Sequence, residues 1–140
     1  MKMAHREVMV KVNAFVDEGI APLVEALNQF ERVETIDGCQ GYGGRPAYVY
    51  FRFRGTPREF LTFLQGLSVN LGTRLDSCCD YSLRAEWLAG AKEPRGQLWA
   101  RLDYVPRLAE ALLGVHQAMA RNAEHLTVTQ GVAAASLERD

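Results

Sequence analysis

Residues 47–54, AYVYFRFR, constrain the fold more than any other stretch of this chain. On an extended backbone Ala47, Val49, Phe51 and Phe53 fall on one side and Tyr48, Tyr50, Arg52 and Arg54 on the other, because successive strand side chains point to opposite faces. Such a strand needs neighbours for its backbone hydrogen bonds and a layer over its apolar side. The next segment, TPREFLTFLQGL, reads as a helix. Thr56 is its N-cap, Pro57 its first residue and Glu59 the partner in a capping box, while Phe60, Phe63, Leu64 and Leu67 form its apolar stripe.

Helical spacing also links Ile20, Leu23, Val24, Leu27 and Phe30 in VDEGIAPLVEALNQF, with Asp17 placed to accept hydrogen bonds from the first turn and Pro22 requiring a start near Gly19. Upstream, Val8, Val10 and Val12 alternate as in a strand, while Val8, Val12 and Phe15 could line a helix; the reading adopted is helix. RVETI predicts a short strand before the glycine-rich turn GCQGYGG. Further strands are expected at about 73–80, 83–89 and 97–103, the last two joined as a hairpin through AKEPRG. A last helix is expected from about Pro106 to Ala123, with Leu108, Leu112, Val115 and Met119 on one side. The pattern predicts one α+β domain over 1–123, helices packed on a mixed, mainly antiparallel sheet, and a tail over 124–140 that is a short strand or frayed.

Length and composition agree with that: 140 residues, 48% hydrophobic and 24% charged, form one ordinary globular domain that needs no disulfide or metal to fold. A net charge of −1 gives no general attraction to nucleic acid or acidic membranes, so any such attraction must be local. The charged N-terminus and the lack of an apolar run near the roughly 20 residues of a membrane helix predict a cytoplasmic protein with no membrane partner. Three cysteines, two of them adjacent at Cys78 and Cys79, make a poor disulfide framework. Those two would face opposite sides of a strand, and His5, His116 and His125 lack ligand spacing, so no metal site is expected.

One segment is chemically distinct. From Gly38 to Arg58 there is no acid and there are four arginines, Arg45, Arg52, Arg54 and Arg58. Within it, glycines let backbone N–H groups converge on an anion, and Tyr48, Tyr50, Arg52 and Arg54 suit stacking on a base and pairing with phosphate. The candidate ligand-binding residues are therefore Cys39, Gln40, Gly41, Tyr42, Arg45, Tyr48, Tyr50, Arg52 and Arg54, and the expected ligand is RNA or a nucleotide. The plain alternatives are a simple turn, solvated arginines in a chain with thirteen arginines and three lysines, and tyrosines covered by a helix. Cys39 reads either as a thiol activated by nearby N–H groups and Arg45, or as a small buried hydrophobe with no histidine nearby in sequence. In the hairpin, Arg84 and Glu86 are expected to pair with Arg101 and Asp103 across the strands, and a carboxylate pair would need Glu86 and Asp103 to converge. No complete catalytic motif is present, and a rival class is a non-catalytic module whose tyrosine face and last helix bury in a homodimer.

VDEGIAPLVEALN followed by VETIDGCQG resembles the early part of the wybutosine-synthesizing methyltransferase family, which modifies a guanosine-derived base in phenylalanine tRNA using S-adenosylmethionine. The matching residues are Val16, Asp17, Glu18, Pro22, Leu23, Asn28, Thr35, Cys39 and Gly41. Gly38 and Gln40 stand where that family has serines, and Tyr42 where it has arginine. The resemblance implies a similar α+β framework with a functional Cys-Gly loop, and S-adenosylmethionine as the cofactor.

Overall fold

The computed structural model describes residues 7–9, 15–75, 80–86 and 92–138. Strands β1 (Glu7–Met9) and β2 (Phe15–Asp17) form an antiparallel pair in which Val8 faces Val16. The described residues of this segment are therefore strand where a helix was expected, and residues 10–14, with Val10 and Val12, lie outside the described residues. Valine is favoured on a pleated backbone, and here the short valine-bearing segments have each other to pair with. A 3-10 turn (Glu18–Ile20) leads into α1 (Ala21–Leu27), with Pro22 in the first turn, where its missing N–H costs nothing.

Strand β3 (Val33–Cys39) and β4 (Ala47–Phe53) form a hairpin, followed by α2 (Pro57–Arg74), β5 (Tyr81–Glu86), β6 (Arg95–Ala100), a second 3-10 turn (Leu102–Tyr104) and α3 (Val105–Glu138). The four strands β3 to β6 lie in the order β3-β4-β6-β5, and every pairing is antiparallel, without the parallel component of a mixed sheet. The α+β architecture is as expected.

Several boundaries differ from the sequence expectation; β5 begins at Tyr81 and β6 at Arg95, each two residues early, and residues 87–89 of the strand expected at 83–89 lie outside the described residues. Residues 73–74 end α2 instead of starting a strand, because Leu71 carries the buried stripe one turn past Leu67, and Asn70 and Thr73 bond to helix carbonyls; 76–79, with Cys78 and Cys79, lie outside the described residues. β6 stops at Ala100, and residues 102–104 turn into the last helix. The backbone stays helical through Glu138, so no strand forms after Ala123; extending an existing helix needs no new nucleus, and the stretch to Glu138 is rich in alanine. β3 runs on to Cys39, beyond RVETI, across a bulge at Ile36 between the paired residues Thr35 and Asp37.

One face of the sheet carries the core. Burial alternates along β4 and β6, with Ala47, Val49, Phe51, Phe53, Leu98 and Ala100 inward, against Leu23 and Leu27 of α1, Phe60, Leu67 and Leu71 of α2, and Leu108, Leu112 and Val115 of α3. Each fully buried large side chain contributes about 1.5–3 kcal/mol. Gly96 sits opposite Phe51 because the ring lies on it, and a Cβ there would meet Phe51 Cζ at 2.3 Å. The Thr56–Glu59 capping box forms as expected, and Glu59 also pairs with Arg32, holding the start of α2 to the end of the α1–β3 connection. Asn28, the α1 C-cap, bonds Val24 O (2.8 Å) and Thr35 Oγ1 (2.8 Å) through Nδ2 and accepts from Thr35 N (3.1 Å), fixing where β3 begins.

Candidate functional site

The three helices all pack on the inward face, so register decides what the opposite face presents. Nearest the β3–β4 turn, Cys39, Tyr48, Trp99 and Ser82 stand side by side across the four strands. Asp37, Tyr50, Gln97 and Arg84 form the next row, and Glu34, Arg52, Arg95 and Glu86 the third. Tyr48, Tyr50 and Trp99, on the two central strands, are half-buried and pack into one group, with ring centroids 4.7 Å apart for Tyr48–Tyr50 and Tyr48–Trp99 and 6.1 Å for Tyr50–Trp99. No described helix covers them. Burial, and then the carboxylate of Asp37, raise the Tyr48 pKa, so its hydroxyl remains a hydrogen-bond donor at neutral pH.

Around the rings the polar groups are held in place. Trp99 Nε1 donates to Gln97 Oε1 at 2.9 Å, and Gln97 Nε2 donates to Glu86 Oε2 at 2.8 Å, so the indole and the amide are both oriented. The Arg84 guanidinium lies 5.1 Å from the Trp99 ring centroid and donates from Nε to Ser82 Oγ.

The acid-free segment does not stay acid-free in three dimensions. Glu34, across from Arg52 in the register, lies 3.0 Å from Arg54 Nη2 and 3.9 Å from Arg52 Nε. The hydrogen bond from Arg54, then the charge of Arg52, hold the Glu34 carboxyl below its ordinary pKa. The two strand arginines therefore share one carboxylate and form the least cationic part of the expected site. Arg45 is different: it is exposed on the loop and makes no ion pair among the described residues.

The loop itself is a defined turn. Arg45 N donates to Tyr42 O at 2.8 Å around Gly43 and Gly44, whose φ values of 52° and 83° both lie in the left-handed region that a type I′ turn requires. Gly41 also has positive φ, and Cys39, half-buried beside Tyr48 at the end of β3, accepts from Gly41 N through Sγ at 3.4 Å. Gln40 is engaged structurally: its Oε1 accepts from Gly19 N (3.0 Å), and its own N–H donates to Asp17 Oδ2 (3.1 Å). Asp17 therefore ties the segment before α1 to the loop and does not cap the helix, whose N-cap makes no side-chain hydrogen bond.

Two cavities adjoin this end of the sheet. One, of about 440 Å³, is lined by residues 40–45 of the loop and by Arg101, Leu102 and Asp103. The second, of about 260 Å³, is lined by Pro46, residues 80–82, Arg84, Trp99, Ala100 and Arg101. Arg101 lines both, held by a two-pronged contact to Asp103 at 3.1 and 3.0 Å. The expected cross-strand pairing of Arg84 and Glu86 with Arg101 and Asp103 is absent: β6 has ended before Arg101, which pairs with its own near neighbour, while Glu86 takes Gln97. Glu86 stands opposite Arg95, at the other end of β6 from Asp103, so the two carboxylates do not converge. The loop cavity sets Asp103 beside Arg45 and Arg101, and the second cavity sets Asp80 beside Arg84 and Arg101, so each lining carries both signs of charge. Among the described residues no group of three His, Cys, Asp or Glu could hold a metal, and no helix is long and apolar enough to cross a membrane.

Of the sequence-predicted residues, the fold brings Cys39, Tyr48 and Tyr50 onto one face and sets Gln40, Gly41, Tyr42 and Arg45 at its rim, while Arg52 and Arg54 stand apart with Glu34. Trp99, Gln97 and Arg101 were not among them. The alternation in RGQLWA would have put Trp99 and Gln97 on one face, and only the β4–β6 register places that face beside the tyrosines. No family model, curated protein or solved structure matches the chain.

Proposed function

We propose that the open sheet face binds an anionic, base-containing ligand, RNA or a nucleotide. The observation that carries this reading is the three-ring group of Tyr48, Tyr50 and Trp99 on the two central strands of a sheet whose helices lie on the other side. RNA-binding sheets stack bases on aromatic side chains presented in this way, and stacking tolerates any base because each has a π-face. Arg45 and Arg84 supply guanidinium groups at the rim, where a phosphate would lie, while Arg101 is already paired with Asp103. The likeness to the wybutosine-synthesizing family fits a ligand derived from RNA.

The test is fluorescence anisotropy of labelled RNA oligonucleotides and nucleotides with wild type, Tyr48→Ala and Trp99→Ala, with native mass spectrometry of the free protein. Each substitution should weaken binding by about 1–3 kcal/mol. A stable dimer that protects the rings and binds no nucleotide or oligonucleotide would remove the proposal in favour of a homodimer face.

A further inference from the structure

We infer that the occupant of this face is a single strand of nucleic acid, at least two nucleotides of it, not a free nucleotide. This rests on the reading of the face as a nucleobase site. Pockets for small ligands are concave and bury most of the ligand surface, so a free nucleotide needs base and phosphate contacts within one enclosure. Here they are spread out. The aromatic platform has three rings on two strands, and the cations are divided between two cavities: Arg45 lines only the loop cavity and Arg84 only the one beside Trp99, while Arg101, which lines both, is paired with Asp103. Two strand spacings, about 10 Å, separate β4 from β5. Arg45, on the turn that leads into β4, and Arg84, on β5, stand at the two cavities, with Tyr48 and Trp99 on the strands between, a path that successive phosphates of one strand can follow.

Charge fixes which side of the platform the backbone takes. Glu34 and Glu86 occupy the third row, beyond the rings, and Glu34 already engages Arg52 and Arg54. Arg52 in that row is shared with Glu34, whereas at the loop end, where Asp80 and Asp103 also lie, Arg45 makes no ion pair among the described residues and Arg84 rests on a ring, so these two draw the backbone along the loop end with the bases inward on the rings. Arg84 rests on Trp99 and leaves that ring when a base replaces it, becoming free for a phosphate.

The experiment compares octauridylate, octathymidylate and uridine monophosphate at several salt concentrations, using the full chain and its Arg45→Ala, Arg84→Ala and Arg54→Ala variants, with thermal melts to confirm folding. Either octamer should bind at least about tenfold more tightly than the mononucleotide, as stacking and phosphate contacts accumulate along a strand. The slope of log affinity against log salt should lose about 0.7 in Arg45→Ala and again in Arg84→Ala, and should not change in Arg54→Ala. If the mononucleotide binds as tightly as the octamers, or if Arg54→Ala lowers the slope while Arg45→Ala does not, the strand inference fails and the nucleobase reading stands. If none of the three probes binds, both fail.

Discussion

Replacing Gly41 by alanine should destabilise the protein far more than the same change two residues later. Gly41 has φ 84°, and a Cβ on it would lie 2.3 Å from the Arg45 carbonyl oxygen and 3.1 Å from that of Pro46. Gly43 also has positive φ, 52°, yet a Cβ there would meet nothing within 4 Å. Both variants incur the left-handed penalty of about 1–2 kcal/mol, offset by the roughly 0.5–1 kcal/mol that alanine saves in unfolded-chain entropy. Gly41→Ala must in addition push two backbone carbonyls aside, an overpacking cost of about 1–3 kcal/mol. The totals are about 1–4.5 kcal/mol for Gly41→Ala and about 0–1.5 kcal/mol for Gly43→Ala, the first larger by the overpacking cost. At roughly 3 °C per kcal/mol for a domain of this size, calorimetry should find the Tm of the first variant about 3–9 °C below that of the second, whose own loss should be no more than about 5 °C. Equal losses in the two variants would refute the argument, because they would mean that the approach of Arg45 and Pro46 to Gly41 does not hold the loop.

Two further predictions concern the frame around the site. Asn28→Ala removes three hydrogen bonds and leaves the Thr35 N–H without its acceptor, so urea unfolding should show a loss of about 2–3 kcal/mol, and a loss below about 0.5 kcal/mol would show that this cap does not fix the start of β3. Hydrogen bonds from Arg32, then from Thr56, lower the Glu59 pKa from 4.5 to about 2 in the folded protein. A depressed carboxylate stabilises above its unfolded pKa and loses that contribution as pH falls through the folded value, so the Tm of wild type should fall between about pH 4.5 and 2 more steeply than that of Glu59→Gln. Parallel profiles would exclude Glu59 as a source of acid sensitivity.

Much of the framework is legible locally. The alternation of AYVYFRFR fixed the two faces of β4, the Thr56–Glu59 capping box fixed the start of α2, and helical spacing picked out the buried residues of α1 and α3. These are signals of period and capping, set by residues a few positions apart. The same signals were ambiguous for the first segment, where valines pair across a hairpin, and at the end of α2, where Leu71 extends the stripe past the expected boundary.

The sequence by itself determined that Tyr48 and Tyr50 share a face with Arg52 and Arg54, and that glycines shape the loop beside them, because strand alternation and glycine's freedom at positive φ are properties of the local chain. Only the tertiary structure decided what that face does with its charges and rings. Antiparallel pairing brought Trp99 from 51 residues downstream of Tyr48 into its row and set Glu34 against Arg52 and Arg54, removing much of the local positive charge that the linear order suggested. Packing of all three helices on the other side left the rings open. Contacts of that kind join residues far apart in the chain, and their register is set by which apolar faces can be buried together, a choice that no single segment makes alone.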